Sequence, residues 1–464
     1  MTRLMNRGLK AAAVVATVAA LALPNVAHAS AAVQDVNSTL LNSIRAGAAG
    51  PPPRAARAIA MVSVATFDAV NAGSHMGYQG YSYAGPAVSG VSKDALAISA
   101  GYTMMANLFP TLSAGLLTTM NTRLNALPVN AAVRANSLSV GSSIANNFFN
   151  ARSSDGAAGA QVAYVPGTNP GDFQPTNPNP PVLPLWGNVT TFAATSNAQF
   201  ANGAPLALGS AQWIAEYNQV KALGCSTCGT PEQQLIARFW ADGGGTFTPP
   251  GHWIDITNGL IGGLSTLEAA RATALVGMSV ADAGITAWND KYTYNTWRPV
   301  TAINNCTLAT CGVAGEPGWT PLLATPNFPS YVSGHSSFSG SAAGALAGYF
   351  GTDNLAFCTP ADPAAGVVAN RCFSGFSDAA FEAGISRIYG GIHYEDDNGK
   401  AVRNSLNLGN FVADTQLQRI GAVPEPASWA MLIVGFGLVG ALARRRNYGV
   451  GGVARRRRQS VVAA

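Results

Sequence analysis

Charge is scarce in this chain. Only 11% of its 464 residues are Asp, Glu, Lys or Arg, and it carries five histidines and six cysteines. A composition poor in lysine and glutamate and rich in Ala, Gly, Ser, Thr and Asn fits an exported protein rather than a cytosolic one. Long apolar runs are also missing from residues 30–422, so the central part is not a set of membrane spans, each of which needs ~20 such residues. No internal repeat stands out. What remains, with 48% hydrophobic residues, is ample for one large buried core or two ordinary ones.

The basic balance of the full chain is an effect of its two ends. Arg3, Arg7 and Lys10 precede an apolar run from Ala11 to Leu23, then Pro24 and Ala27-His28-Ala29. This reads as a Sec signal peptide over residues 1–29, too short in its apolar part to span a bilayer. At the other end, Val423-Pro424-Glu425-Pro426 leads into an apolar stretch that closes on Arg444-Arg445-Arg446. This segment, 423–446, resembles the PEP-CTERM sorting signal of Gram-negative bacteria. The resemblance implies processing by an exosortase and delivery to the periplasm, outer surface or extracellular matrix. A basic tail, 447–464, follows. The leader holds three of the 27 basic residues, and residues 424–464 hold seven arginines and one of the 22 acids, which leaves 17 basic and 21 acidic residues and a net charge of −4. No nucleic-acid surface is expected.

The cysteines fall into near neighbours: Cys225 with Cys228, Cys306 with Cys311, and Cys358 with Cys372. In an exported chain an even count suggests three local disulfides, although fifteen pairings are formally open. Cys225-Ser226-Thr227-Cys228 could also be a redox or zinc pair, but no second metal-spaced Cys/His pair lies nearby.

The chemistry concentrates in three stretches. The first is Lys291-Tyr292-Thr293-Tyr294-Asn295-Thr296-Trp297-Arg298-Pro299. The second is Phe328-Pro329-Ser330-Tyr331-Val332-Ser333-Gly334-His335-Ser336. The third is Ser386-Arg387-Ile388-Tyr389-Gly390-Gly391-Ile392-His393-Tyr394-Glu395-Asp396-Asp397. Together they supply three cations, two histidines and an orienting carboxylate. The second precedes a run of small helix formers, and a helix starting there aims free N–H groups at its loop. That is an anion site. On an ideal helix Lys291 and Arg298 share a face about 10 Å apart along the axis, with Pro299 ending the segment. His393 and Asp397 are one turn apart, so the carboxylate can fix the ring tautomer. Arg387 and His393 are out of alignment on a regular helix, so either Gly390-Gly391 bends the chain or Arg387 curls around.

These stretches resemble the tripartite motif of the superfamily that joins vanadium-dependent haloperoxidases to type 2 phosphatidic acid phosphatases and bacterial acid phosphatases. They match at every spacing, with Val332 where a proline is usual. The resemblance implies an all-α helical bundle with long irregular loops, and a single domain over residues 30–422 that carries the site. It implies two chemistries. In the haloperoxidase reading the cofactor is vanadate, with vanadium bound by His393 and the oxygens held by Lys291, Arg298, Ser333, Gly334 and Arg387. His335 is the acid–base group, Asp397 orients His393, and hydrogen peroxide and halide react to hypohalous acid. In the phosphatase reading phosphate occupies the same site, His393 attacks a phosphate monoester to form a phosphohistidine, and His335 protonates the leaving alcohol. Trp288, Phe328 and the segment Gly243 to Trp253 look like haloperoxidase surroundings and favour the first reading. His252 in that segment either lines the entrance or is structural. A noncatalytic surface or matrix protein that keeps the fold is the third reading. The superfamily's membrane lipid phosphatases are set aside for want of apolar spans.

Period-3.6 patterning predicts helices near 54–73, 92–108, 130–150, 210–222, 231–241, 264–290, 337–350, 377–391 and 398–418. Residues 152–208, rich in Pro, Gly, Asn and Thr, predict a long irregular excursion over the bundle.

Overall fold

A computed structural model of the chain describes residues 30–420. The expected leader, sorting segment and basic tail lie outside the described residues. Among those described, the helices run α1 Ala31–Arg45, α2 Pro52–Ala72, α3 Lys93–Leu108, α4 Ser113–Ala126, α5 Ala131–Ala151, α6 Ala211–Leu223, α7 Pro231–Phe239, α8 Thr248–Leu260, α9 Thr266–Tyr294, α10 Pro299–Asn305, α11 Leu308–Cys311, α12 Gly334–Phe350, α13 Phe376–Tyr389 and α14 Glu395–Thr415. A short antiparallel hairpin, β1 Phe357–Pro360 and β2 Asn370–Phe373, is the one sheet among them. The architecture is the expected helical bundle with one hairpin added. No described helix is long and apolar enough to cross a membrane.

All nine expected helices form. Helices α1, α4, α8, α10 and α11 were not expected, and the three longer ones, α1, α4 and α8, have local reasons. In α1, Val33, Val36, Leu40 and Ile44 recur at three and four and are all buried, a pattern sufficient for an amphipathic helix. In α4, Leu116, Met120 and Leu124 recur every four residues as its buried edge. The Pro249-Pro250-Gly251 start of α8 reads as a loop, yet both prolines sit in the first turn, where a missing N–H costs nothing.

Helix α9 is the axis of the bundle. Ser265 caps it by accepting from the Glu268 amide, and almost every residue from Ala269 to Lys291 is buried. It packs against α2 and α12, and α12 packs in turn along α14. The α12–α14 contact is close because small residues line it. A Cβ on Gly409 would lie 2.1 Å from the Ser341 carbonyl oxygen, so only glycine permits this approach.

The excursion over residues 152–208 carries only two single turns of 3-10 helix. Two carboxylates of α9 fasten it. Asp282 accepts from the amides of Phe192 (2.6 Å), Ala193 (2.8 Å) and Ala194 (2.8 Å). Asp290 accepts from the Asn202 amide at 3.0 Å and its side chain at 2.8 Å. A polar, aperiodic segment thereby satisfies its backbone by borrowing acceptors from a helix.

The cysteines pair as Cys225–Cys228, Cys306–Cys311 and Cys358–Cys372, the last across directly opposed residues of the hairpin. The redox or zinc reading of Cys225 and Cys228 is therefore not the state of this structure. The shared-face geometry of Lys291 and Arg298 also needs correction. Helix α9 stops at Tyr294 on a left-handed Asn295, and Arg298 is the extended residue that leads into α10. Pro299 starts a helix rather than ending one.

Candidate active site

Three chain reversals bring the site together. The end of α9 delivers Lys291, the start of α10 delivers Arg298, and the loop into α12 delivers Ser333, Gly334 and His335. The break between α13 and α14 delivers Arg387 on one side and His393 with Asp397 on the other. Gly391 makes that break possible. Its φ is +76°, and a Cβ there would lie 2.2 Å from the Gly224 carbonyl oxygen, so the expected bend at Gly390-Gly391 has a steric cause.

His393 is held at both ring nitrogens. Nδ1 lies 2.8 Å from Asp397 Oδ2, and Nε2 lies 2.9 Å from Arg298 Nη1. The guanidinium can only donate, so Nε2 accepts and the ring proton goes from Nδ1 to Asp397. Nε2 thus presents a lone pair to the cationic side of the site. Asp397 Oδ2 also accepts from the Ser330 hydroxyl at 2.5 Å and the Tyr394 amide at 3.2 Å.

Arg298 donates to the Phe328 carbonyl through Nε (2.8 Å) and to the Ile392 carbonyl through Nη1 (2.8 Å). Arg387 donates to the Trp240 carbonyl at 2.9 Å. His335 Nε2 lies 3.2 Å from the Ala241 carbonyl, and the residue, largely buried, lines a cavity. Ser333 caps α12 by accepting from the Ser336 amide at 3.3 Å. The Gly334 and His335 amides, in the first turn of α12, have no acceptor within the helix.

Lys291 departs from the expected arrangement. Its ammonium group donates to the carbonyls of Pro329 (2.9 Å), Ser330 (3.0 Å) and Val332. All three protons are used on the 329–332 loop, so here the lysine pins that loop and acts on the site through its charge. The Tyr331–Val332 peptide, at the position where the related pattern carries proline, is cis.

Charge is out of balance. Lys291 and Arg298 are 0% exposed and Arg387 is 3% exposed, yet among the described residues Asp397 is the one carboxylate in hydrogen-bond contact with this group of cations and histidines. Burial pushes Arg298 down to about 9 and Arg387 down to about 10, and it holds Lys291 well below the usual lysine range. Burial, then the neighbouring cations, depress His393 and His335 well below the usual histidine value. Burial raises Asp397 to about 6 against the opposing pull of Ser330, Lys291 and Arg298. Each of these groups is depressed or raised chiefly because its charge is desolvated.

An oxyanion fits what is left over. Arg298 Nη2 and Arg387 Nε are buried with no hydrogen-bond partner. These N–H groups and the α12 amides form a donor set around His393 Nε2, whose unprotonated nitrogen here accepts from Arg298 Nη1. Unpaired buried donors are costly, about 1–3 kcal/mol each, and an oxyanion supplies the acceptors they lack.

Trp288 and Phe328 pack beside Lys291 with ring centroids 5.0 Å apart and planes tilted by 47°, and the Arg298 guanidinium lies 4.8 Å from the centre of the Phe328 ring. Both rings line the cavity with Gly334, His335, Arg387 and His393. His252 does not line it. It is fully buried in α8, with Nδ1 3.0 Å from Asp242 and Nε2 3.3 Å from the Thr359 hydroxyl, packed on Trp240 and Phe247. Two residues escaped the sequence reading. Ser330 shares the Asp397 oxygen, and Asp242, on the cavity wall, joins His252 to the site and favours the charged form of Arg387. The glycine run after Asp242 was the available signal for the second. Nothing marks Ser330 beyond its place in the motif.

Comparison with known proteins agrees with this geometry. Residues 271–422 match the model of the VCPO second helical-bundle domain, and residues 422–446 match the PEP-CTERM protein-sorting motif. The vanadium chloroperoxidase of Curvularia inaequalis is 27% identical, over 48% of this chain and 48% of its own length. The chain thus spans about half the length of that relative. A bacterial vanadium-dependent iodoperoxidase structure superposes with a TM-score of 0.74 at 26% identity, covering 84% of this chain and 98% of that one. A bacterial vanadium-dependent chloroperoxidase in its holo form superposes at 0.61 with 17% identity, over 79% and 93% of the two chains, which speaks for the fold alone. Fold, motifs and these likenesses relate the chain to the vanadium haloperoxidase family, through the second helical-bundle domain over residues 271–422, with a PEP-CTERM motif following it.

Proposed function

We propose that the protein is a vanadate-dependent haloperoxidase that oxidises halide with hydrogen peroxide to hypohalous acid. The observation that carries this reading is the pair of buried, unpartnered arginine N–H groups in the site that holds the α12 amides and the unprotonated Nε2 of His393. Vanadate bound there would supply the electrophilic centre that activates peroxide toward halide. The balance is H2O2 + X⁻ + H⁺ → HOX + H2O, so the oxygen–oxygen bond breaks and the halide loses two electrons.

The chain's own groups have separable tasks. Arg298 and Arg387 hold the oxygens of the anion through their free N–H groups, and the Gly334 amide adds a neutral donor. Lys291 contributes charge and fixes the loop before Ser333. His393 would offer Nε2 as the ligand atom in exchange for its bond to Arg298 Nη1, with its tautomer set by Asp397. His335, held neutral by burial and by the charge of Arg387, is able to take a proton from incoming peroxide and return it to departing water.

The sorting motif and three disulfides support an exported protein, processed by an exosortase and released at the periplasm, outer surface or matrix.

The test uses the purified protein freed of phosphate, assayed with and without orthovanadate. Vanadate-dependent oxidation of iodide to triiodide, lost in His393→Ala, is the expected result. Release of phosphate from a chromogenic monoester, inhibited by vanadate and without halide oxidation, would make the protein a phosphatase acting through His393.

A further inference from the structure

A second cavity shares no lining residue with the one over His335 and His393. The turn between α1 and α2 divides them: Gly47 and Gly50 line the first, and Ala48 and Ala49 line the second. The volume of the second is about 420 Å³, within the range of pockets that enclose an organic ligand, ~300–1,000 Å³. Much of its wall is apolar, with Leu108 and Phe109 at the end of α3 and Phe149 on α5. Its charge is placed against the helix that supplies it. Arg54 and Arg57 stand in the first two turns of α2, whose first turn carries no acid. That end of a helix is positive and favours carboxylates, so two guanidiniums there oppose the dipole.

The protein itself does not balance this charge. Asp155 is the one carboxylate among the described residues that line the cavity, and its oxygens are committed. Oδ2 accepts from Arg57 Nε at 2.8 Å and from Arg152 Nε at 3.0 Å, and Oδ1 accepts from the Ala157 amide at 3.1 Å. The Arg54 guanidinium has no ion-pair or hydrogen-bond partner among the described residues. A buried donor is also left over. Trp186 lines the cavity and is 1% exposed, yet its Nε1–H has no hydrogen-bond partner. Three other fully buried tryptophans do find an oxygen: Trp240 at Glu382 (3.0 Å), Trp253 at Ser339 (2.9 Å) and Trp288 at the Val182 carbonyl (3.1 Å). An indole can only donate, and a buried donor without an acceptor is costly.

We infer that this cavity binds an aromatic carboxylate, whose carboxyl group takes the Arg54 guanidinium and the Trp186 N–H and whose ring lies against Leu108, Phe109 and Phe149. A carboxylate is planar and presents two oxygens to a guanidinium fork, with lone pairs remaining for a further donor. An inorganic anion would leave the apolar wall uncovered, whereas an aromatic ring buries a large flat face there. The inference is independent of the haloperoxidase reading, because no group of the anion site takes part in it.

The test titrates 2-naphthoate calorimetrically into the purified protein in phosphate-free buffer, alone and with saturating orthovanadate. One-to-one binding is expected in both, and at least tenfold weaker binding of 2-naphthamide, which has the same body without the charge. Arg54→Gln should weaken 2-naphthoate at least tenfold, and so should Ala158→Trp, at an exposed lining position. Far-UV circular dichroism checks that both variants fold. In proton–nitrogen correlation spectra, the indole signal missing from Trp186→Phe should move downfield as 2-naphthoate is added. No binding, equal binding of the amide, binding indifferent to both variants, or an indole signal that stays in place would overturn the inference. Displacement of 2-naphthoate by orthovanadate would overturn it too, since the ligand would then sit against His393. Binding that meets every expectation in a protein with no affinity for orthovanadate would uphold this cavity and count against the haloperoxidase reading alone.

Discussion

The Ser330 hydroxyl donates to the same carboxylate oxygen of Asp397 that receives the His393 ring proton, at 2.5 Å and 2.8 Å respectively. One buried oxygen thus carries the orientation of His393, and Ser330 together with the Tyr394 amide keeps that oxygen from turning. Ser330→Ala should lower orthovanadate affinity about tenfold, in line with ~1–3 kcal/mol for a lost partner of a buried polar group. Ser330→Thr should recover most of it. Equilibrium dialysis of both variants measures this directly, and an alanine variant with unchanged affinity would show the hydroxyl to be idle.

Arg298 reaches the site as a fork, with Nε and Nη1 already committed to carbonyls and His393 and Nη2 left free. Lysine cannot reproduce that geometry. Arg298→Lys is expected to fold, by far-UV circular dichroism, and to lose affinity for both orthovanadate and phosphate by roughly a hundredfold, the scale of a lost charge-assisted pair.

Asp282 holds three amides of the excursion in place. Asp282→Ala leaves those donors without acceptors and should reduce the free energy of unfolding by about 3 kcal/mol in urea. The same variant should be cut by protease first within residues 152–208.

The pH dependence of stability has a definite sign. Burial raises Asp68 and Asp282 from 3.8 to about 6. The folded state therefore holds these two protons more tightly than the unfolded chain does. Their contribution to stability is complete below pH ~4 and declines as pH rises through about 6. Between pH 4 and 6 the urea midpoint should fall, and Asp282→Asn should flatten that fall. A midpoint that rises equally over this window in both proteins would contradict the assignment.

At Gly409, where a Cβ would lie 2.1 Å from the Ser341 oxygen, alanine must push α14 away from α12. Gly409→Ala should cost about 1–3 kcal/mol, read as a lower thermal midpoint. Because α12 and α14 carry Gly334 and Asp397, orthovanadate affinity should fall with it.

The sequence was informative wherever a residue type has one structural use. Spaced basic residues, Ser333-Gly334-His335 and the His393–Asp397 turn identified the side chains that meet, although the assignment of catalytic roles to them remains a proposal. The periodicity of α2, α9 and α14 marked the core. It was less informative where backbone decides. The left-handed Asn295 that separates Lys291 from Arg298 looks like any asparagine in a chain, and the prolines of α8 resemble those of a loop. Ser330 and Asp242 act through partners distant in sequence, and no local pattern announces such contacts.

The unpaired donors of Arg298 and Arg387 make anion loading and folding two faces of one equilibrium. An ion that binds the native state alone raises stability by mass action, by about 2.7 kcal/mol at a hundred times its dissociation constant. Phosphate offers the same tetrahedron of oxygens as vanadate, so protein prepared in phosphate buffer should melt later and respond to added vanadate only as the first ion departs. The melting temperature then becomes an optical-free gauge of occupancy, and the history of the buffer becomes part of the state of the protein.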